Sequence, residues 1–190
     1  MLRETPSQTA GPYLHIGLLP AQAGVTYRPL GSSALAASPL GFTRQAPAGP
    51  PITIEGRVLD GLGSPCRDML VELWQADPDG AYAGGAYAGA FRGWARTGTD
   101  FTTGLYRFET VKPGATQGAP FVSLWLASRG LNMGLHTRMY FPDEPRNATD
   151  PVLSRVDPAR RPTLVARAEA GRLVFDIRLQ GDNETVFFDV

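Results

Sequence analysis

The 190 residues are 43% hydrophobic and 19% charged, with 22 Gly and 17 Pro, a composition that excludes a wholly disordered chain and falls short of a collagen-like one. Eighteen basic residues balance eighteen acidic ones, so no long-range positive field draws the chain to nucleic acid or anionic lipid. A single cysteine, Cys66, allows no internal disulfide and suits a reducing cytoplasm, while Arg3, Glu4 and Pro6 stand where a signal peptide needs an apolar stretch.

Residues 1–50 carry Pro at 6, 12, 20, 29, 39, 47 and 50 and little periodicity. They predict an extended arm that lies on another subunit or around the domain that follows. Residues 51–190 read as a β-sandwich of seven or eight strands, an all-β fold with a few short helical turns. Ile52, Ile54, Gly56 and Val58 alternate, as do Met69, Val71 and Leu73, and the loop Asp60 to Pro65 between them predicts a hairpin. Leu105 to Thr110, Phe121 to Ser128 and Leu135 to Phe141 continue the strand pattern. Leu164 to Ala168 and Arg172 to Leu179 flank the turn Glu169-Ala170-Gly171 and predict a second hairpin, and Thr185 to Val190 a last strand or a docked tail. Asp150-Pro151 and Asp157-Pro158 have the form of helix starts but no 3.6-residue period follows, so single turns are expected.

Candidates for chemistry are few. Thr5 to Tyr13 gathers hydroxyls, Gly11-Pro12 and an aromatic in a segment that composition reads as solvated coil, although Tyr13 is large for a wet segment. Tyr82 follows the loop Asp77 to Ala81 at a strand end, where a phenolate can bind ferric iron or a tyrosine can simply pack on the sandwich edge. Arg129 ends a strand, so its guanidinium fork can meet a carboxylate in a cleft or stand as a surface charge. His136, Arg138 and Tyr140 share one strand face, and His15 beside Ile16 reads as packing. Cys66 lies next to Arg67, which lowers a thiol pKa, yet has no histidine partner in view. Asp77, Asp79, Asp143 and Glu144 are general-acid candidates in turns where carboxylates are usually solvated. Nucleophile-elbow, Walker and Rossmann glycine patterns are missing from the sequence.

Thr5-Pro-Ser-Gln-Thr-Ala-Gly-Pro-Tyr13, Gly56-Arg-Val-Leu-Asp60, Val71-Glu-Leu-Trp-Gln-Ala-Asp77, Val111-Lys-Pro-Gly114, Arg129-Gly, Leu135-His-Thr-Arg-Met-Tyr-Phe141 and Gln180-Gly-x-x-Glu-Thr-Val-Phe-Phe-Asp189 together resemble the intradiol ring-cleaving dioxygenases. The arm motif and the Glu184-Thr-Val-Phe-Phe segment are similar to the alpha-type chains of its two-chain members. The family's catalytic chain binds Fe(III) through two tyrosines and a His-x-His pair; those positions fall here on Tyr82, on Ala115 or Thr116, and on Phe121-Val122-Ser123. The resemblance therefore implies a chain with no metal ligands of its own and no catalytic residue. It implies a partner beta chain that carries Fe(III), and an αβ oligomer that opens protocatechuate (3,4-dihydroxybenzoate) with O2 to 3-carboxy-cis,cis-muconate. It assigns substrate contact to Arg129 and to the arm residues Thr9, Gly11, Pro12 and Tyr13. Two other readings stay open at this point: a free-standing sandwich that binds a ligand by itself, and an independent metalloenzyme using Tyr82 with Tyr87, His15 or His136.

Overall fold

The structure is a computed structural model that describes residues 8–20, 22, 24, 49–82, 91 and 93–190. Most of the expected arm, residues 1–7 and 25–48, and Tyr87 lie outside the described residues.

Two sheets face each other. The first has the order β4-β1-β8-β7 with β9 also on β1, and the second the order β3-β2-β5-β6. In chain order the strands are β1 (Pro51–Leu59), β2 (Leu70–Trp74), β3 (Trp94–Gly98), β4 (Leu105–Val111), β5 (Phe121–Ala127), β6 (Leu135–Tyr140), β7 (Arg167–Glu169), β8 (Arg172–Val174) and β9 (Ile177–Arg178). Alternate residues of each strand point inward, as the period of two dictates. Ile54, Val58, Tyr106, Phe108, Phe175 and Ile177 of the first sheet meet Val71, Leu73, Val122, Leu124, Leu126 and Met139 of the second in one core. Burying side chains of this size contributes about 1.5–3 kcal/mol each. The fold is the expected β-sandwich.

The hairpin expected of residues 52–58 and 69–73 does not form, because β1 and β2 belong to different sheets. The turn after β1 pairs only Leu59 with Pro65, with Cys66 N donating to Val58 O at 2.8 Å. Pro65 has no N–H with which to extend the ladder, so the chain leaves the sheet and crosses to the other. The second expected hairpin does form, between β7 and β8, with Ala170 (φ 47°) and Gly171 (φ 79°) both in the left-handed region that a tight type I′ turn requires. Its first arm is shorter than expected, since Arg161–Leu164 closes a 3₁₀ turn. Its second arm is interrupted: Asp176 Oδ1 accepts from Arg57 N at 2.9 Å, so a side chain takes a place in the ladder and splits β8 from β9. Both pieces run parallel to β1, with Ile54 opposite Leu173 and Val58 opposite Ile177.

The two Asp-Pro starts give single turns. Asp150 Oδ1 accepts from Val152 N and Leu153 N at 2.9 Å each, and Asp157 Oδ1 from Ala159 N at 2.8 Å. Residues 145–164 lie with the tail over one end of the outer face of the second sheet, enclosing Ala119, Tyr140, Leu153 and Leu164. The tail docks rather than forming a full strand: Phe188 N donates to His136 O at 2.8 Å, and Thr137 Oγ1 to Val186 O at 2.8 Å. Within the arm, Leu14–Leu18 forms a short helix, α1. Strand β3 had no counterpart in the sequence reading. Among the described residues no helix is long and apolar enough to cross a membrane.

Candidate functional site

Two surfaces gather the residues that carry chemistry. The first is where the arm meets the end of β5. Thr9 Oγ1 accepts from Gly130 N at 2.7 Å and lies 3.3 Å from Ser128 O, so the arm hydroxyl is clipped to the loop that begins with Arg129. Arg129 places Nη2 and Nε at 2.8 and 2.9 Å from Asp68 Oδ2. Its side chain remains 56% exposed, so guanidinium N–H groups stay available to a second carboxylate. Asp68 is itself tied down by Ser128 Oγ, which lies 2.9 Å from Asp68 O and 3.3 Å from its Oδ1.

Gly11, Pro12 and Tyr13 continue from Thr9 as exposed surface, and Leu14 N donates to Gly11 O at 3.2 Å to turn the chain into α1. Tyr13 is 76% exposed and Ile16 49%, with Met133 of the Arg129 loop at 73%. The helix is held to the sandwich by His15, which is buried edge-on against Phe101 with ring centroids 5.4 Å apart. Burial pushes the His15 pKa below its usual value, offset in part by the Asp68 carboxylate and reinforced by Arg129. Gln22 Nε2 completes the attachment by donating to Thr99 O at 2.6 Å. Thr9 and Arg129 are thus brought together, whereas Gly11, Pro12 and Tyr13 face outward from the same edge.

The second surface is the outer face of β3-β2-β5-β6. Register puts Arg96, Glu72, Trp125 and His136 in one cross-strand row and Trp94, Trp74, Ser123 and Arg138 in the next. They line a pocket of about 930 Å³. Arg96 pairs with Glu72. Arg138 stands with its guanidinium carbon 4.1 Å from the Phe121 ring centroid and 5.7 Å from that of Phe188. Tyr82 stacks on Trp74, centroids 5.8 Å apart and planes 9° from parallel. Burial raises its phenol pKa, with the nearby Arg138 pulling the other way.

Among the described residues this surface does not offer the ligand set of the family's catalytic chain. Phe121 and Ser123 carry no imidazole, a cation stands over Phe121, and one phenol, Tyr82, is stacked on Trp74. Among the described residues no cluster of three His, Cys, Asp or Glu is placed to hold a metal. His15 belongs to the arm anchor, and the exposed His136 imidazole lies beside Trp125, ring centroids 6.5 Å apart, while its backbone oxygen takes the tail contact.

The remaining candidates are structural. Burial and the Asp60 and Asp68 carboxylates push the Cys66 thiol up, opposite to the lowering that Arg67 suggested. Asp77 Oδ1 accepts from Asp79 N and Ala81 N, Asp143 pairs with Lys112 at 2.9 Å, and Glu144 caps Pro145–Thr149. Tyr140 shares the His136 and Arg138 face but is buried, its Oη 3.2 Å from Asp150 Oδ1, and its pKa is pushed up to about 12 chiefly by burial. The three tryptophans escaped the sequence reading. Their signal was parity, since Trp74 and Trp125 fall in step with Glu72 and Ser123 rather than with Leu73 and Leu124.

Residues 24–123 match a family model described as Dioxygenase. The chain is 45% identical, over all of its own length and 98% of the relative, to the protocatechuate 3,4-dioxygenase alpha chain of Pseudomonas putida. It is 35% identical, over 73% of its length and 68% of the relative, to the beta chain of protocatechuate 3,4-dioxygenase from Burkholderia cepacia. Among solved structures, the dioxygenase domain of a dioxygenase carbohydrate-binding protein fusion from Streptomyces sp. SirexAA-E superimposes with a TM-score of 0.55 at 29% identity, covering 84% of this chain and 97% of that one. The sandwich, the full-length match and the identity agree: this chain belongs to the intradiol dioxygenase family, in its branch of protocatechuate 3,4-dioxygenase alpha chains.

Proposed function

We propose that this chain is the non-catalytic, substrate-lining subunit of a cytoplasmic αβ enzyme that cleaves protocatechuate with O2 to 3-carboxy-cis,cis-muconate, with Fe(III) held by a partner beta chain. The observation that carries the reading is the junction of arm and sandwich, where Arg129 is oriented by Asp68 while its outer face stays open. A guanidinium in that setting suits a benzoate carboxylate, and fixed positioning of a substrate lowers a barrier without any bond being made by the residue that positions it. Thr9, Gly11, Pro12 and Tyr13 form the adjoining wall, in which Gly11-Pro12 lets backbone approach a ring closely. The exposed Tyr13, Ile16 and Met133 favour a partner chain over water on this edge. In this reading residues 1–50 are an arm that runs along this chain's own sandwich at residues 9–22 and turns its outer side to the partner, and residues 51–190 are the sandwich.

The test is iron content and visible absorbance of the chain expressed alone and with a beta-type partner. The expected result is a colourless, iron-free chain alone and a coloured, iron-loaded complex in which Arg129→Ala raises KM for protocatechuate at least several-fold. Stoichiometric iron in the lone chain, or unchanged kinetics of the variant, overturns the reading.

A further inference from the structure

Of the arm residues 8–20 one alone is buried, and it is a histidine. Leu14, Ile16 and Leu18 of the same short helix are left half-buried or exposed, while His15 fills the seat against Phe101. An apolar side chain would take that seat without penalty. His15 instead brings a nitrogen, Nε2, that is shut off from water and has no hydrogen-bond partner among the described residues. A polar atom buried unpaired weakens the arrangement that buries it, and the same seat opposes a charged imidazolium far more strongly than a neutral ring. Thr9 and Gln22 fasten the arm on either side of His15, but through hydrogen bonds that water can replace once the chain lifts. The state of His15 therefore decides whether the arm stays down.

The groups that face His15 come from three elements. From the connection between β1 and β2 the Asp68 carboxylate favours the charged ring, and from the loop after β5 Arg129 opposes it. The turn between β3 and β4 presents the uncharged Phe101 ring, beside which Asp100 commits its carboxylate to the Thr102 and Thr103 amides at 3.0 and 2.7 Å. Burial outweighs both charges, so the docked ring titrates below its free value. A carboxylate bound on Arg129 would cancel that cation's share and leave burial ahead of Asp68, so the direction holds. Asp68 and Arg129 are also the pair placed at the substrate carboxylate above, and Thr9 is clipped to the loop that Arg129 begins.

We propose that His15 is a positioning residue of the substrate site: neutral, it seats the arm so that Thr9 to Tyr13 wall the pocket beside Arg129, and on taking a proton from solvent it lets that wall go. The inference rests on the function proposed above. Substrate binding is then constant above the free histidine value of 6.5 and weakens as pH falls through it toward the lower docked value.

The test is steady-state oxygen uptake with protocatechuate by the assembled αβ complex, unaltered and with His15→Leu, between about pH 7.5 and 5.5 at constant ionic strength. Titrations in the partner chain are common to both complexes and cancel in their ratio. The expected result is that KM of the unaltered complex, relative to that of His15→Leu, rises about threefold or more across this range while the ratio of kcat values moves little. Where His15→Leu fails to assemble, His15→Gln, polar but uncharged, takes its place. A KM of the unaltered complex that stays flat, or an acid limb equally steep in the uncharged variant, overturns the inference. Arg129→Ala in the same assay separates the two readings: a raised KM there without a His15 effect removes the role of His15 alone, and an unchanged KM there overturns the reading of the site on which that role rests.

Discussion

At the scale of single residues, side chains that hold other groups in place matter more than side chains that react. Asp68 is the clearest case, since it fixes Arg129 from one side and is half-buried where Arg129 is open. Exposed ion pairs contribute about 1 kcal/mol or less, so Asp68→Ala should barely move the unfolding midpoint. In the assembled enzyme it should raise KM for protocatechuate a few-fold with kcat little changed, and Asp68→Asn, which keeps one acceptor oxygen, should recover part of the loss; steady-state kinetics decide. Gly56 is constrained by space instead. A Cβ there would run into the backbone oxygen of Phe175, which also accepts from Tyr106 Oη at 2.5 Å. Neither neighbour is the yielding end of a flexible side chain, so Gly56→Ala should cost about 3 kcal/mol or more in urea unfolding. Asp150 accepts from Ala119 N, Leu153 N and Tyr140 Oη in a buried setting and from the part-buried Val152 N. Asp150→Ala strands those donors, and a loss of about 3 kcal/mol is expected by the same measurement.

At the scale of elements, the arm is fastened by a group that titrates. His15 is buried, its Nε2 has no hydrogen-bond partner among the described residues, and its pKa lies below 6.5 when docked. The charged form is therefore favoured when the arm is released. Docking is fully stable where both states are neutral, above the free value of 6.5, and weakens as pH falls through 6.5 toward the lowered docked value. Hydrogen exchange at Leu19 N, which donates to His15 O at 2.7 Å, should speed up between pH 7.5 and 5.5 beyond the intrinsic trend. His15→Leu should abolish that excess.

Sequence periodicity read the elements unevenly, for physical reasons. β1, β4, β5 and β6 were legible because their inward residues are large and apolar while many outward ones are polar. β3 inverts the pattern: Trp94 and Arg96 face outward while the small Ala95 is buried, so alternation gives no apolar stripe. Pairing was harder to read than strand identity, because nothing local to Asp60 to Pro65 reveals that the chain changes sheets there. At the junction of arm and sandwich, Arg129 stood out by its place at a strand end and Thr9 by its hydroxyl-rich segment, but that the two segments meet was not legible. The contact of Thr9 with Gly130 joins residues 121 positions apart in sequence, and no local period encodes a contact of that kind.

At the scale of the whole molecule, the exposed edge formed by Tyr13, Ile16 and Met133 asks for a cover. If the arm lies on a partner, amides of residues 9–18 should gain protection from hydrogen exchange on assembly, whereas those of the turn Ala170-Gly171, far out on β7 and β8, should not. Equal protection with and without partner would count against the arm as an interface.

The parallel seating of β8 and β9 on β1 also bears on how the chain is made. Ile54 awaits Leu173, and Val58 awaits Ile177. During synthesis the arm leaves the ribosome first, yet its anchors Phe101, Ser128 and Gly130 come later, and the sheet cannot close until residue 178 is out. A nascent chain stopped before β8 would present β1 as an open edge, a template for wrong pairing. Ribosome-bound fragments ending near residue 165 should accordingly recruit chaperones or aggregate, while those carrying the whole sequence on a linker should fold.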